Sequence, residues 1–389
     1  MNASVVKKTT AKGTTRFYVV VDKGVDPVTK RRRKEWQKGG HRTRTEAKAA
    51  ARAIGASLDN GSYVQPSSVT VGDYVESWIA AAQGNGRIRP GTASLYETVL
   101  RAYIVPTVGH KSLQELRATD LDRAYAHLLK QGGRQGGPLA AKTVKSAHTL
   151  LHKALSDAVK KGLISSNPAE VADSPTPQRK EMKTWTAGQL GQFLEYVKDD
   201  RLFAAFRLAS MTGMRRAEVL GLRYKDLSLD RGRVSIVQTL VLVGGKPTIS
   251  ANAKTDSGRR SIGLDPETLQ ALKTHRSAHA EERLSLGLGL TEDDLVFSKV
   301  DGTPIHPSWF SRTFTRLSRA AGLPVIRFHD LRHGFATMSL DAGVRVWDVS
   351  DILGHKNISI TLDLYRHAVP DTQAEATTKV SALLKYLNG

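Results

Sequence analysis

A chain of 389 residues with 40% hydrophobic and 24% charged side chains is long enough for two or three domains with real cores. Its 58 Lys and Arg against 37 Asp and Glu leave a net charge of +21, which repels itself unless a polyanion is near; nucleic acid is the leading partner, because basic side chains displace condensed counterions from phosphates, and an anionic membrane surface is a weaker option. The lack of cysteine excludes disulfides, thiolate metal sites and Cys nucleophiles; with no signal-peptide run in Met1–Thr10 and nothing near the roughly 20 apolar residues of a membrane span, a soluble chain in the cytoplasm is expected, without membrane contact.

Taken in order, Arg16-Phe17-Tyr18-Val19-Val20-Val21 is β-branched and aromatic and predicts a strand. Asp26-Pro27 marks a turn, followed by the basic run Lys30, Arg31, Arg32, Arg33 and Lys34 and by Trp36. Thr45 is placed to cap a helix through Ala47, Ala50, Ala51, Ile54 and Leu58. Residues 1–64 are therefore expected to form a small β-sheet with one packed helix, its basic hairpin lying against DNA phosphates.

Residues 65–171 predict an all-α bundle. Thr70 with Asp73 resembles a capping box ahead of Val71, Tyr74, Val75, Trp78 and Ile79 at helical spacing. Pro90 begins a second helix that Pro106 should halt. A third starts at Thr119, and a fourth runs from about Ala140 to Gly162. Lys142, Lys145, His148, His152, Lys160 and Lys161 decorate this last helix, either as DNA contacts or as an ordinary solvated face.

Residues 172–389 begin with a Pro-rich linker, after which Thr186 and Gln189 open a helix and a second apolar helix ends at Thr212-Gly213. Gly213 permits a sharp turn into a further helix with Arg215 in its first turn, where free backbone N–H groups favour an anion, and Glu218 stands three residues on, able to hold an arginine. Arg233–Val243 predicts a strand with Lys246–Ala253 as its hairpin partner, then a tight turn bearing Lys254 and a strand at Ser261–Leu264. Helices follow from Asp265-Pro266 and over Trp309–Ala321. In His329-Asp330-Leu331-Arg332-His333, helical spacing groups His329, Arg332 and His333 on one surface and turns Leu331, Phe335 and Ala336 towards a core. An imidazole beside a guanidinium suits an oxyanion such as phosphate. A helix through Val346, Val349, Ile352 and Leu353 ends at Gly354, with His355 immediately beyond and Tyr365 ten residues later.

Thr212-Gly213-Met214-Arg215, the Lys254 turn, His329 to His333, Leu353-Gly354-His355 and Tyr365, in that order, resemble the catalytic domain of the tyrosine recombinases, also called the phage integrase family. The resemblance implies an α+β multidomain fold: a β-sheet and helix module like an arm-site-binding domain, an all-α core-site-binding bundle, and a mostly α catalytic domain with a small antiparallel sheet and a C-terminal tail helix. Tyr365 would attack a DNA phosphodiester, giving a 3′-phosphotyrosyl link and a free 5′-hydroxyl. A phenol near pKa 10 needs help, and the resemblance implies that Arg215, Arg332 and His355 bind the phosphate, Lys254 protonates the leaving oxygen and His329 assists proton transfer. Glu218 would buttress Arg215, and His333 would support the site. The covalent bond conserves energy, so no ATP, metal or other cofactor is called for. Register against Thr212-Gly213 selects Arg215 over Arg216.

The implied protein is an integrase of the arm-binding, bivalent type, inserting a phage or mobile element into a host chromosome. It would work at the nucleoid as a homotetramer on double-stranded core and arm sites, with a host DNA-bending protein and an excision factor as possible partners. Val380, Leu383, Leu384 and Leu387 fall on one face of a tail helix expected to dock on a neighbouring protomer. The alternatives are a transposon-borne integrase of the same chemistry, a DNA-binding regulator on an inactive scaffold, and a type IB topoisomerase.

Overall fold

A computed structural model describes residues 2–9, 14–25, 30–37, 40–59, 63–133, 135–178, 183–251, 260–355, 357–359, 361–362 and 381. The chain divides into two compact units, Met1–Arg179 and Lys180–Gly389.

The N-terminal unit begins with an antiparallel sheet of β1 (Asn2–Thr9), β2 (Thr15–Val25) and β3 (Arg32–Trp36), with β2 in the centre. Side chains alternate across a pleated strand, so Phe17, Val19 and Val21 share one face with Val5, while Tyr18 and Val20 share the other with Trp36. Lys8 lies over the exposed Trp36 ring, which meets Tyr18 edge-on. Strand β1 was not foreseen, because Val5 and Val6 are followed at once by Lys7 and Lys8 in a polar edge strand. The basic run lies on the hairpin of β2 and β3: Arg32, Arg33 and Lys34 belong to β3, and Lys30 and Arg31 precede it. Helix α1 (Arg44–Asp59) is capped by Thr43 rather than Thr45, its hydroxyl accepting the Glu46 N–H at 3.2 Å while the Glu46 carboxylate takes the Thr43 N–H.

The bundle follows as α2 (Val71–Gly84), α3 (Pro90–Val99), α4 (Ala118–Gln131) and α5 (Ala141–Lys160). Thr70 caps α2 through the Asp73 N–H, as its sequence predicts. Pro106 does not halt the second helix. The chain continues past Val99 as a π-helical segment, Leu100–Gly109, whose wider turn accommodates the proline ring that would strike the carbonyl four residues back in an α-helix. Helix α4 is capped by the Asp120 carboxylate on the Arg117 N–H, not from Thr119. His148 is another correction: it is buried against Tyr125, whose hydroxyl lies 3.2 Å from its Nδ1, and so it does not belong to the wet face of α5. Buried Asp157 joins α5 to α2 by accepting from Trp78 Nε1 at 3.0 Å and from both Nη atoms of Arg87.

The C-terminal unit contains α6 (Ala187–Tyr196), α7 (Phe203–Thr212) and the short α8 (Arg216–Leu220). Then come β4 (Leu227–Ser228), β5 (Arg233–Ile236), β6 (Gln238–Val243), β7 (Lys246–Ala251) and β8 (Arg260–Gly263). The stretch expected as one strand breaks at Val237: β5 enters an antiparallel sheet β4-β5-β8, whereas β6 pairs with β7. Four further helices are described in this unit, α9 (Pro266–Leu284), α10 (Pro307–Ala320), α11 (Asp330–Asp341) and α12 (Val346–Leu353). Trp185, Phe193, Phe206, Phe310, Phe314 and Phe328 pack ring against ring at the centre of the core, each burial removing about 2–3 kcal/mol of apolar exposure. Ala336, Leu340, Val349 and Leu353 form a small separate cluster that seats α12 on α11. Among the described residues, no helix is long and apolar enough to cross a membrane.

Candidate active site

Helix α7 ends at Gly213, whose φ of 61° is a left-handed conformation that suits glycine. A side chain there would also meet Leu353 Cδ2 at 2.5 Å and Phe335 Cδ1 at 2.8 Å. Two residues later, Arg215 is the N-cap of α8, just outside the helix rather than in its first turn. Glu218 folds back to accept the Arg215 N–H at 2.8 Å and Arg215 Nη1 at 2.8 Å. The Arg215 N–H at this helix start is therefore taken by an internal carboxylate.

Arg260, the first residue of β8, grips the same carboxylate in a fork, Nη1 to Oε1 at 3.1 Å and Nη2 to Oε2 at 2.8 Å. Its Nε donates to the Ile352 carbonyl at 2.6 Å. Arg332, in the first turn of α11, donates to the Gly213 carbonyl at 2.8 Å and the Leu353 carbonyl at 2.6 Å. It is buried, not part of an open surface. Arg215 Nη2 donates to the Gly354 carbonyl at 3.2 Å. Three successive carbonyls at the end of α12 thus each receive one arginine: Ile352 from Arg260, Leu353 from Arg332 and Gly354 from Arg215. These carbonyls lack partners within the helix and carry its negative dipole end, so they hold cations without carboxylates.

Gly354 takes a left-handed φ of 64° and turns the chain so that His355 follows the arginine anchors directly. His355 Nδ1 lies 2.8 Å from the hydroxyl of fully buried Thr361. His329 is the N-cap of α11, its ring perpendicular to that of His333 at 5.2 Å.

Among the described residues, charge in this cluster is unbalanced: Arg215, Arg260 and Arg332 face one carboxylate, Glu218. Burial pushes Glu218 up, but the hydrogen bonds and charge of Arg260, with the N–H and guanidinium of Arg215, hold it below the usual carboxylate range. Burial and then the nearby Arg215 push Arg332 down to about 9, so it stays charged at neutral pH. Burial, Arg332 and Arg215 push His355 down to about 4, leaving a neutral imidazole. Burial, His333 and Arg332 depress His329 as well, an effect that water screens in part because the residue remains exposed. A cationic cluster with neutral imidazoles beside it suits an anion and can stabilise charge developing on it.

The structure thus brings Arg215, Glu218, Arg332 and His355 together, with His329 and His333 on the adjoining turn of α11. Lys254 and Tyr365 lie outside the described residues, as do Val380, Leu383, Leu384 and Leu387. Sequence reasoning missed Arg260 and Thr361. Arg260 reads as one more base in the Arg259-Arg260 pair, although its place at the start of an alternating strand was a signal that it faces inward. Of the expected DNA contacts, Lys142 is exposed on α5 and Lys145 donates to Ser174 Oγ, while Lys30 and Arg31 are exposed ahead of β3.

Residues 182–371 match the model of the Phage integrase family. The chain is 29% identical over 386 residues to a XerC-like tyrosine recombinase of Caldanaerobacter subterraneus, covering 94% of this chain and 96% of that one. It is 23% identical to the ICEBs1 integrase of Bacillus subtilis, over 95% and 98% of the two chains. Among solved structures, the fold is similar to the Tn1549 transposon integrase in complex with transposon right end DNA, with a TM-score of 0.67 and 22% identity over 80% of this chain and 99% of that one. It is also similar to a lambda integrase dimer bound to a COC′ core site, with a TM-score of 0.56 and 18% identity over 92% and 93%. With its ordered motifs, its arginine cluster and these likenesses taken together, residues 182–371 form a domain of the phage integrase family, the tyrosine recombinases, and the chemistry is site-specific DNA recombination.

Proposed function

We propose that the chain integrates a mobile element by cutting and rejoining double-stranded DNA through Tyr365. The observation that carries this reading is the convergence of Arg215 and Arg332 on the adjacent carbonyls of Gly354 and Leu353, with His355 next in the chain. Such a pair grips the two non-bridging oxygens of one phosphodiester. The Tyr365 oxygen forms a bond to phosphorus as the bond to the 5′ oxygen breaks. Arg215, Arg332 and His355 stabilise the charge that builds on the phosphoryl oxygens, and Lys254 gives its proton to the leaving 5′ oxygen. His329 assists removal of the tyrosine proton, with His333 supporting it. The reverse step, with a 5′-hydroxyl from the partner duplex as nucleophile, reseals the DNA.

In this reading residues 1–64 bind arm sites, with Lys30, Arg31, Arg32, Arg33 and Lys34 on the phosphates. Residues 65–171 hold the core site with Lys142 and Lys145, and residues 172–389 perform the chemistry. Four copies assemble on DNA, and the tail docks on a neighbour. A host DNA-bending protein and an excision factor fit this bivalent layout. A second reading, a transposon-borne integrase, is favoured by the likeness in fold to the Tn1549 transposon integrase. It would insert at varied targets, whereas a phage enzyme joins one fixed pair of sites.

The test is covalent capture. The protein is incubated, without ATP or added metal, with a duplex carrying its core site and a nick beside the cleavage position, and a denaturation-resistant adduct is sought. The adduct should form with the wild type and vanish in Tyr365→Phe without loss of DNA binding. Tight binding to the site with no adduct would turn the reading towards a regulator.

A further inference from the structure

We propose that Arg260 is a positioning residue for strand cleavage: it fixes the Glu218 carboxylate and the end of α12, and through both it aims the Arg215 guanidinium at the scissile phosphate. The inference rests on the functional reading above, in which Arg215 binds that phosphate.

Arg215 is held at two points, Glu218 Oε1 by Nη1 and the Gly354 carbonyl by Nη2. Arg260 touches the support of each. Its fork meets both oxygens of Glu218, and its Nε meets the Ile352 carbonyl two residues before Gly354. The Arg260 side chain is 8% exposed and Glu218 is 3% exposed, so neither competes for solvent or ligand. Of the three arginines on α12, Arg260 is the one whose described contacts are all spent on supports of another. It acts through Arg215 and does not itself reach the DNA. Without Arg260, the burial that pushes Glu218 up would be opposed by the N–H and charge of Arg215 alone, and the carboxylate's hold on Arg215 would weaken. A small displacement of a phosphate-gripping group costs on the order of 100-fold in rate, so the effect should be large.

Arg260→Lys keeps the positive charge but cannot form the fork together with the Ile352 bond. The assay is single-turnover adduct formation on two nicked duplexes, one with the natural phosphodiester and one with a methylphosphonate at the scissile position. The methylphosphonate lacks one charged non-bridging oxygen and so depends less on the paired arginines. The readout is the ratio of the two rates, which does not change with the fraction of protein that is folded. In Arg260→Lys the phosphodiester rate should fall by about 100-fold and the ratio should shift by about tenfold or more in favour of the methylphosphonate. Arg260→Ala should shift the ratio in the same direction. A phosphodiester rate equal to wild type, or a loss equal on both substrates, overturns the proposal. Absence of any Tyr365-dependent adduct in the wild type overturns the functional reading itself, and Arg260's role with it.

Discussion

Replacing Gly213 by alanine perturbs the backbone and the packing of the cluster at a single point. The left-handed φ of 61° costs an L-residue about 1–2 kcal/mol. The new methyl must then displace Leu353 Cδ2 from 2.5 Å and Phe335 Cδ1 from 2.8 Å, and overpacking of this kind costs about 1–3 kcal/mol. The sum is about 2–5 kcal/mol, in its lower half because both obstacles are side-chain atoms that can shift. Denaturant-dependent hydrogen exchange, followed in peptides covering α7 and α8, reads this loss within the C-terminal unit. The same shift moves two carbonyls that hold Arg332, those of Gly213 and Leu353, so adduct formation should fall further than stability does. Gly188→Ala in α6 is the control: nothing lies within 4 Å of its added carbon, and the change should be neutral or stabilising by up to about 1 kcal/mol. A loss below about 1 kcal/mol at position 213, or full cleavage activity there, refutes the reasoning.

Thr361→Val removes the hydroxyl partner of His355 Nδ1, so single-turnover cleavage should slow roughly fivefold, the equivalent of about 1 kcal/mol, and Thr361→Ser should restore it. Asp157→Asn should lower the melting temperature of the N-terminal unit by several degrees at neutral pH. Because the Arg87 hydrogen bonds hold Asp157 below the usual carboxylate range against the effect of burial, the wild type's advantage should disappear as pH falls below 3.8. His279, buried between the Tyr224 and Ser298 hydroxyls, is pushed down to about 4 by burial and by His275. The unfolded chain therefore takes up this proton first, and stability should drop as pH falls from 6.5 towards 4, a slope that His279→Gln should flatten in melts recorded against pH.

Elements whose ends are written in local chemistry were legible before the structure. The Thr186–Gln189 capping box, the Asp265 cap and the glycine stops at Gly213 and Gly354 need only neighbours along the chain. Features set by distant partners were not. The π-helical passage through Pro106 depends on the bundle that encloses it, and the break at Val237 depends on which strand each half finds. The site divides in the same way. Arg215, Glu218, Arg332 and His355 stand in recognisable motifs, whereas the roles of Arg260 and Thr361 rest on partners that are 42 residues away in one case and six in the other.

The small helix α12 has a wider meaning. It is eight residues long and sits on a satellite cluster of four buried side chains, apart from the large aromatic core. Yet Arg215, Arg260 and Arg332 are all fastened to its last carbonyls. Lifting α12 by local opening would take one hydrogen bond from each at once, leaving Arg215 and Arg260 on Glu218 and Arg332 on the Gly213 carbonyl. One helical turn therefore couples the three guanidinium groups, so that a shift of its end would be felt by all of them together.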